Sequence, residues 1–118
     1  MTPALFLLAT APMNAPKTVA TPFPLSAIRL LGGPFETSHK ATATYLLEID
    51  PARLLAGFRV NSGLPAGAEI YGGWETGGLS GHSLGHYLTA CAQEYAHTGD
   101  VRYKQKVDAI VDGLVECQ

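Results

Sequence analysis

The apolar residues from Phe35 to Ile49 include a set that can share one side of a helix, so a helix is predicted there. Asp50-Pro51 ends this segment, because the residue before a proline is pushed out of the helical region. The same pair suits the start of a second, shorter helix, with the aspartate as N-cap and the proline at the first helical position. Asn61-Ser62-Gly63 ends that helix. The residues predicted to face inward are Phe35, Ala43, Leu46, Leu47, Ile49, Leu54, Leu55 and Phe58.

Two longer helical patterns follow, one from about Leu79 to His97 and one from Val101 to Gln118. His97-Thr98-Gly99-Asp100 is a tight link between them, where the glycine suits a helix end and the aspartate caps the next helix. On the first helix we predict an apolar face of Leu84, Leu88, Cys91, Ala92 and Tyr95, opposite a polar stripe of His82, His86, Thr89 and Gln93. On the second we predict an apolar stripe of Tyr103, Val107, Ile110, Val111, Leu114 and Cys117.

These two helices differ in charge, and the difference predicts their surroundings. Histidines aside, Glu94 is the only formally charged side chain of the first, whereas the second carries basic and acidic residues along its other side. A nearly uncharged helix is predicted to be enclosed, and an amphipathic one to face solvent. An inner helix followed by an outer one is the repeating unit of an α/α toroid, so we predict an all-α fold.

The residues before Phe35 divide into two segments. Phe23 to Leu31 is a short apolar run that suits an extended segment. As a strand it would be confined to a sheet edge by Pro24, and the chain offers it no partner strand. Residues 1–22 are predicted to be a leader or a secretory signal, since they hold an apolar run too short to span a bilayer and no basic start. Two alternatives stay open. Residues 1–22 are either a signal for export to a secreted or periplasmic location, or a plain leader or mis-chosen start.

The composition limits the size and the partners of the domain. The 118 residues suffice for one small domain, and 47% hydrophobic with 15% charged residues indicate a globular chain. The net charge of −2, without a lysine or arginine cluster, argues against nucleic acid and anionic membrane as partners. Because the charge is low for so small a domain, we expect further chain to cover part of its surface. Cys91 and Cys117 are predicted to be small buried hydrophobes.

The glycine-rich segment from Leu64 to Gly78 is predicted to be a long loop. Trp74-Glu75 within it resembles a sugar-binding arrangement, in which the indole stacks on a ring face and the carboxylate accepts hydroxyl protons. The alternative is that Trp74 anchors the loop and Glu75 is solvated. A glycosidase needs two carboxylates flanking one bond, but Glu69 and Glu75 share one loop, so we assign no catalytic role to them.

His82 and His86 lie four residues apart, which is the spacing of a zinc-binding pair on one helix face. The intervening glutamate of a HExxH metalloprotease is absent, and the nearby sequence supplies no third ligand. A structural role, in which the ring N–H groups satisfy neighbouring polar atoms, is one alternative. We favour hydrogen bonding of the two imidazoles to substrate hydroxyl groups beneath the glycine-rich loop.

Several short motifs follow one another from about residue 23 to residue 118. They are Leu30-Leu31-Gly32-Gly33-Pro34-Phe35, Tyr45-Leu46-Leu47-Glu48-Ile49-Asp50-Pro51, Arg53-Leu54-Leu55, Phe58-Arg59, Tyr71-Gly72-Gly73-Trp74-Glu75, Gly81-His82 to Gly85-His86-Tyr87-Leu88, Tyr95-Ala96, Thr98-Gly99-Asp100 and Glu116-Cys117-Gln118. This ordered set resembles the start of the β-L-arabinofuranosidase-like catalytic domain of glycoside hydrolase family 127. We therefore expect residues 23–118 to be part of such a domain.

The resemblance implies an (α/α)6 toroid followed by β-sandwich domains, and retaining hydrolysis of arabinofuranosyl linkages in plant cell-wall glycans. It also implies a cysteine nucleophile held on zinc and a glutamate acid/base, which come later in the family's chain and which Cys91 and Cys117 do not match. We expect an N-terminal fragment of the toroid with no cofactor or catalytic residue of its own, completed by the missing C-terminal part of the same chain. Zinc is then expected only in the full-length parent. The residues expected to bind substrate are Trp74, Glu75, His82 and His86.

Two other function classes stay open from the sequence. One is a non-catalytic carbohydrate-binding helical module, which would bind free sugars and lose them on Trp74→Ala or His86→Ala. The other is a small helical interaction domain whose apolar surface meets a partner chain, which would form a stable oligomer without a response to sugar.

Overall fold

The computed structural model describes residues 20–118, which form four α-helices and two short 3-10 turns. Helix α1 spans Pro34–Glu48, α2 spans Pro51–Asn61, α3 spans His82–Thr98 and α4 spans Val101–Glu116. No β-strand occurs in this part of the chain, so the predicted all-helical class is confirmed. None of these helices has the length and apolar character that crossing a membrane requires. Most of the predicted leader, residues 1–19, lies outside the described residues.

The corner between α1 and α2 forms as the Asp50-Pro51 pair predicts. The aspartate carboxylate accepts a hydrogen bond of 2.9 Å from the Ala52 backbone N–H, and the proline occupies the first turn of α2. The hydroxyl of Tyr71 accepts the backbone N–H of the aspartate at 3.1 Å. From α4, the Lys106 ammonium donates to the Ile49 carbonyl at 2.7 Å. The corner is therefore fixed from the loop side and from the α4 side.

Helices α3 and α4 form a hairpin joined by two residues. Gly99 ends α3 with a φ of +73°, a left-handed conformation that glycine adopts without strain. Asp100 caps α4 by accepting the Arg102 backbone N–H at 3.0 Å. Both ends of the link are as the sequence predicts.

Helix α4 connects the other helices, because α1, α2 and α3 all pack against it. Gly113 of α4 is buried against Leu55 of α2, and a β-carbon at this glycine would overlap the leucine side chain. Tyr103 of α4 donates its hydroxyl proton to the Ala43 carbonyl of α1 at 3.0 Å. The buried apolar side chains are Leu46, Leu54, Leu55, Ala56, Leu84, Tyr87, Cys91, Tyr103 and Ile110.

The segment from Phe23 to Leu31 contains extended backbone, as predicted, but it does not form a strand. Its flanks are extended, but Leu25–Ala27 form a 3-10 turn closed by hydrogen bonds to carbonyls three residues earlier. A lone extended segment leaves its backbone groups unpaired, and the described residues offer no second strand. The turn packs on α3 instead, where His97 Nδ1 lies 3.1 Å from the Leu25 carbonyl oxygen.

The inward face of α3 also differs from the predicted one. Its buried residues are Leu84, Tyr87, Cys91 and Glu94. Ala92 and Tyr95, predicted to face inward, are exposed. Tyr87 and Glu94 take their place because each finds a polar partner on α1, the first at a backbone carbonyl and the second at a histidine. Phe35 of α1 and Val111 of α4, also predicted inside, are 78% and 46% exposed.

Candidate substrate-binding cleft

The loop between α2 and α3 is held against the helices at its centre. The Arg53 guanidinium of α2 donates to the Glu69 carbonyl at 2.9 Å and lies 4.0 Å from the centre of the Tyr71 ring. The Tyr71 hydroxyl in turn accepts the Asp50 N–H at the α1–α2 corner. The loop therefore enters the next turn, Gly73–Glu75, from a fixed position.

Glu75 is buried and caps the start of α3 from a distance in the sequence. Its side chain is 5% exposed, and its two carboxylate oxygens accept the backbone N–H groups of Gly81 at 2.8 Å and Ser83 at 2.9 Å. The N-cap position, Gly81, has no side chain that could do this, so the loop supplies the missing acceptor. A negative charge at this end of the helix is also favoured by the helix dipole.

The surroundings keep the Glu75 carboxyl ionised. Burial on its own raises its pKa, but the hydrogen bonds from Gly81 and Ser83, together with the nearby His82, outweigh burial. The net result is a pKa below the ordinary value of 4.5. Both oxygens already accept hydrogen bonds from backbone N–H groups, so this carboxylate caps α3 and is not directed at a ligand.

Three aromatic rings form a continuous ledge at the start of α3. The Trp74 indole meets the His82 ring edge-on at 5.6 Å between centres, and His82 meets His86 edge-on at 4.7 Å. Trp74 is 64% exposed, and both histidines are exposed as well. Neither imidazole makes a hydrogen bond within the described part of the chain, so both keep their ring nitrogens for other partners.

The ledge forms one side of an open cleft of about 380 Å³ between α1 and α3. The opposite side and floor are mainly apolar and include Leu46, Ile49, Tyr87 and Ala90. An apolar floor beside a few polar groups and an exposed indole is typical of small-ligand sites. Of the four predicted substrate-binding residues, Trp74, His82 and His86 line this cleft, while Glu75 lies beneath them with its carboxylate turned to the helix start.

A second, larger cavity of about 760 Å³ lies toward the other end of α3. The buried Glu94 carboxylate lies 2.8 Å from His39 Nε2, and the His39 ring meets the His97 ring edge-on at 5.2 Å. The sequence pattern does not predict this group, because His39 and Glu94 are far apart in the chain. The available signal was Glu94 itself, which is the lone formally charged residue of α3 and lies at helical spacing from the buried Cys91.

The described residues do not supply a zinc site. No three histidine, cysteine, aspartate or glutamate side chains among residues 20–118 come together around a common point. Cys91 is fully buried, and burial raises the pKa of its thiol, while the Cys117 thiol donates to the Gly113 carbonyl at 3.1 Å. The zinc that the family resemblance implies does not fit these side chains, so no chemistry of this chain is assigned to it.

Residues 27–118 match the family described as β-L-arabinofuranosidase, GH127 catalytic domain. The chain belongs to this family of glycoside hydrolases. No curated protein matches the chain.

Proposed function

We propose that this chain forms part of the sugar pocket of a β-L-arabinofuranosidase-like glycoside hydrolase acting on arabinose-containing plant glycans. The ledge of Trp74, His82 and His86 carries this proposal. The indole provides an apolar face for a sugar ring, and the imidazoles provide a donor and an acceptor each for hydroxyl groups. Membership of the GH127 family supports a furanoside of arabinose as the sugar.

We also propose that α3 and α4 are an inner and an outer helix of an (α/α)6 toroid. The outward residues of α3 support this arrangement, since they include Gly85, Thr89 and Ala96 and no formally charged side chain. By contrast, α4 exposes Arg102, Lys104 and Asp108. An uncharged helix face suits contact with further helices, and a charged one suits solvent.

We propose that hydrolysis needs catalytic residues other than those among residues 20–118. Most glycosidases place two carboxyl groups on either side of the bond that breaks. The family resemblance instead implies a cysteine nucleophile with a glutamate acid/base, and neither Cys91 nor Cys117 matches that motif. Glu75 faces the helix start beneath the ledge, and its lowered pKa does not suit a general acid. We therefore propose that the 118-residue chain binds sugar without cleaving it. Turnover of an aryl β-L-arabinofuranoside above background by this chain would contradict that statement.

Binding is tested by titrating the chain with methyl β-L-arabinofuranoside and measuring the heat of binding. We expect Trp74→Ala and His86→Ala each to weaken binding about tenfold, which corresponds to roughly 1.4 kcal/mol. Phe35→Ala and His97→Ala serve as matched controls, because they remove an exposed aromatic ring and a histidine outside the cleft. Equal losses in the control variants, or no binding by the unmodified chain, would refute the assignment of the cleft.

A further inference from the structure

Glu75 and Trp74 are neighbours in the chain but face opposite environments. The Glu75 carboxylate is 5% exposed and bonded to the first turn of α3, whereas the Trp74 indole is 64% exposed beside His82. The Glu75 backbone carbonyl also accepts the Ser80 hydroxyl at 2.7 Å. Both the side chain and the main chain of this residue are thus tied to the segment that begins α3.

The same short loop is closed on itself around Trp74. The Trp74 carbonyl accepts backbone N–H groups from Gly77 at 3.2 Å and from Leu79 at 3.1 Å. The indole position relative to the α3 histidines therefore depends on how this loop is joined to the helix. The two carboxylate bonds of Glu75 are charge-assisted, and such bonds are stronger than those between neutral groups.

We propose that Glu75 is a positioning residue, which holds the Trp74 indole against His82 and so assembles the sugar-binding ledge without touching the sugar. This inference rests on the proposed function for its consequence, but the Trp74–His82 contact can be measured without any ligand. The indole is proposed to contact the sugar, whereas the Glu75 carboxylate holds the loop to α3. The carboxylate oxygens already accept hydrogen bonds from the Gly81 and Ser83 N–H groups.

The chain has a single tryptophan, so its fluorescence reports on Trp74 alone. A protonated imidazole in contact with an indole quenches the indole emission, and histidine side chains titrate between about pH 8 and about pH 5. We expect this quenching in the unmodified chain and its loss in His82→Asn. The amplitude of the change between about pH 8 and about pH 5 reports on the contact between Trp74 and His82.

Two substitutions separate the geometry of Glu75 from its charge. Glu75→Asp keeps the charge but shortens the reach, and Glu75→Gln keeps the reach but removes the charge. We expect both variants to lower the quenching amplitude at least about twofold. We also expect both to weaken the binding of methyl β-L-arabinofuranoside about fivefold, since aromatic contacts contribute on the order of 1 kcal/mol. Unchanged amplitude in both variants would overturn the proposal.

Controls distinguish positioning from a general loss of stability. Glu69→Gln changes an exposed glutamate of the same loop whose carboxylate makes no hydrogen bond within the described residues, and it should behave as the unmodified chain. Tyr103→Phe removes a hydrogen bond to Ala43 far from the loop, so it should lower stability but leave the quenching amplitude and the sugar affinity unchanged. A reduced amplitude in Tyr103→Phe would also overturn the proposal.

The outcomes separate this inference from the proposed function. If the unmodified chain does not bind the sugar, the proposed function fails, while a reduced amplitude in the Glu75 variants still supports positioning. If sugar binds equally well to all variants and the amplitude is unchanged, positioning fails and the proposed function stands. Should both Glu75 variants lose helix content, Ser80→Ala decides, because it removes only the 2.7 Å bond to the Glu75 carbonyl. A lowered amplitude then supports positioning, and an unchanged one overturns it.

Discussion

The Tyr87 hydroxyl of α3 donates a hydrogen bond of 2.9 Å to the Leu46 carbonyl in the last turn of α1. The last carbonyls of a helix have no partner within it, so the tyrosine satisfies a group that would otherwise be buried and unpaired. Burial raises the pKa of the Tyr87 phenol, which keeps the donor protonated at ordinary pH. Both residues also line the candidate cleft, so this bond fixes the distance between α1 and α3 at its floor.

Replacing Tyr87 by phenylalanine should lower the stability of the chain. We expect a loss of about 1 to 2 kcal/mol, because a buried carbonyl is left without a donor. For a domain of this size each kcal/mol lowers the melting temperature by about 4 to 8 °C. Tyr45→Phe is the matched control, since Tyr45 is 61% exposed and its hydroxyl makes no hydrogen bond within residues 20–118. Thermal unfolding followed by circular dichroism measures both, and equal melting temperatures would contradict the prediction.

Two glycines at the start of α3 should respond oppositely to alanine. Gly81 has a φ of +89°, and a β-carbon there would lie 2.6 Å from the Phe58 ring, so Gly81→Ala should cost about 2 kcal/mol. Gly85 lies within the helix with open space around it, so Gly85→Ala should stabilise the chain by about 0.5 to 1 kcal/mol. Urea unfolding gives both values, and the same sign for both variants would be inconsistent with the backbone described.

Stability should fall in acid, in part because of Glu75. Its pKa in the folded chain is lower than the ordinary value of 4.5, so the unfolded chain binds more protons, and stability rises with pH. The contribution is complete above about pH 4.5 and is lost as the pH falls through the folded pKa. Glu75→Gln, which we expect to cost roughly 1.5 to 3 kcal/mol near neutral pH, removes it.

The measurement is urea unfolding of the unmodified chain and Glu75→Gln between about pH 6 and about pH 3. The difference in free energy of unfolding between the unmodified chain and Glu75→Gln should become smaller as the pH falls. Glu69→Gln should follow the unmodified chain at every pH, since its exposed carboxylate is not bonded within the described residues. A difference that stays constant down to the lowest pH would show that the Glu75 charge contributes nothing.

The two thiols should differ in reactivity. Cys91 is fully buried with a raised pKa, so it presents little thiolate and no access to reagent. In Cys117→Ala, where only Cys91 remains, we expect Ellman's reagent to react at least about 100-fold more slowly in the native chain than in denaturant. The partly exposed Cys117 should react faster, as measured in Cys91→Ala. Rapid labelling of native Cys117→Ala would contradict the burial of Cys91.

Local sequence signals predicted the helix boundaries correctly where the capping interactions involve residues close together in the chain. Asp50 and Asp100 cap α2 and α4 as predicted, and Gly99 ends α3 in the left-handed conformation. These features depend on groups within a few residues of one another, so the pattern alone contains them. The extended segment near Pro24 does not become a strand, because a strand needs a partner and the described residues offer none.

The candidate cleft was predicted in part. The spacing of His82 and His86 places them on one helix face, and their position beneath a glycine-rich loop suggested a ligand site. The direction of Glu75 was not predictable in the same way. A carboxylate beside a tryptophan reads equally well as a ligand contact or a solvated group, and only the fold shows that its oxygens meet the Gly81 and Ser83 N–H groups.

The sequence by itself determined the all-helical class, the helix boundaries at Asp50, Gly99 and Asp100, and the family to which residues 27–118 belong. The start of α3 lies at His82, three residues beyond the predicted start at Leu79. Only the tertiary structure decided which side of α3 is buried, because Tyr87 and Glu94 become stable inside only through polar partners on α1. It also decided that Trp74 faces the cleft while Glu75 faces the helix. Capping and helical periodicity are local and can be read along the chain, whereas the burial of a polar group depends on a partner that folding brings from elsewhere.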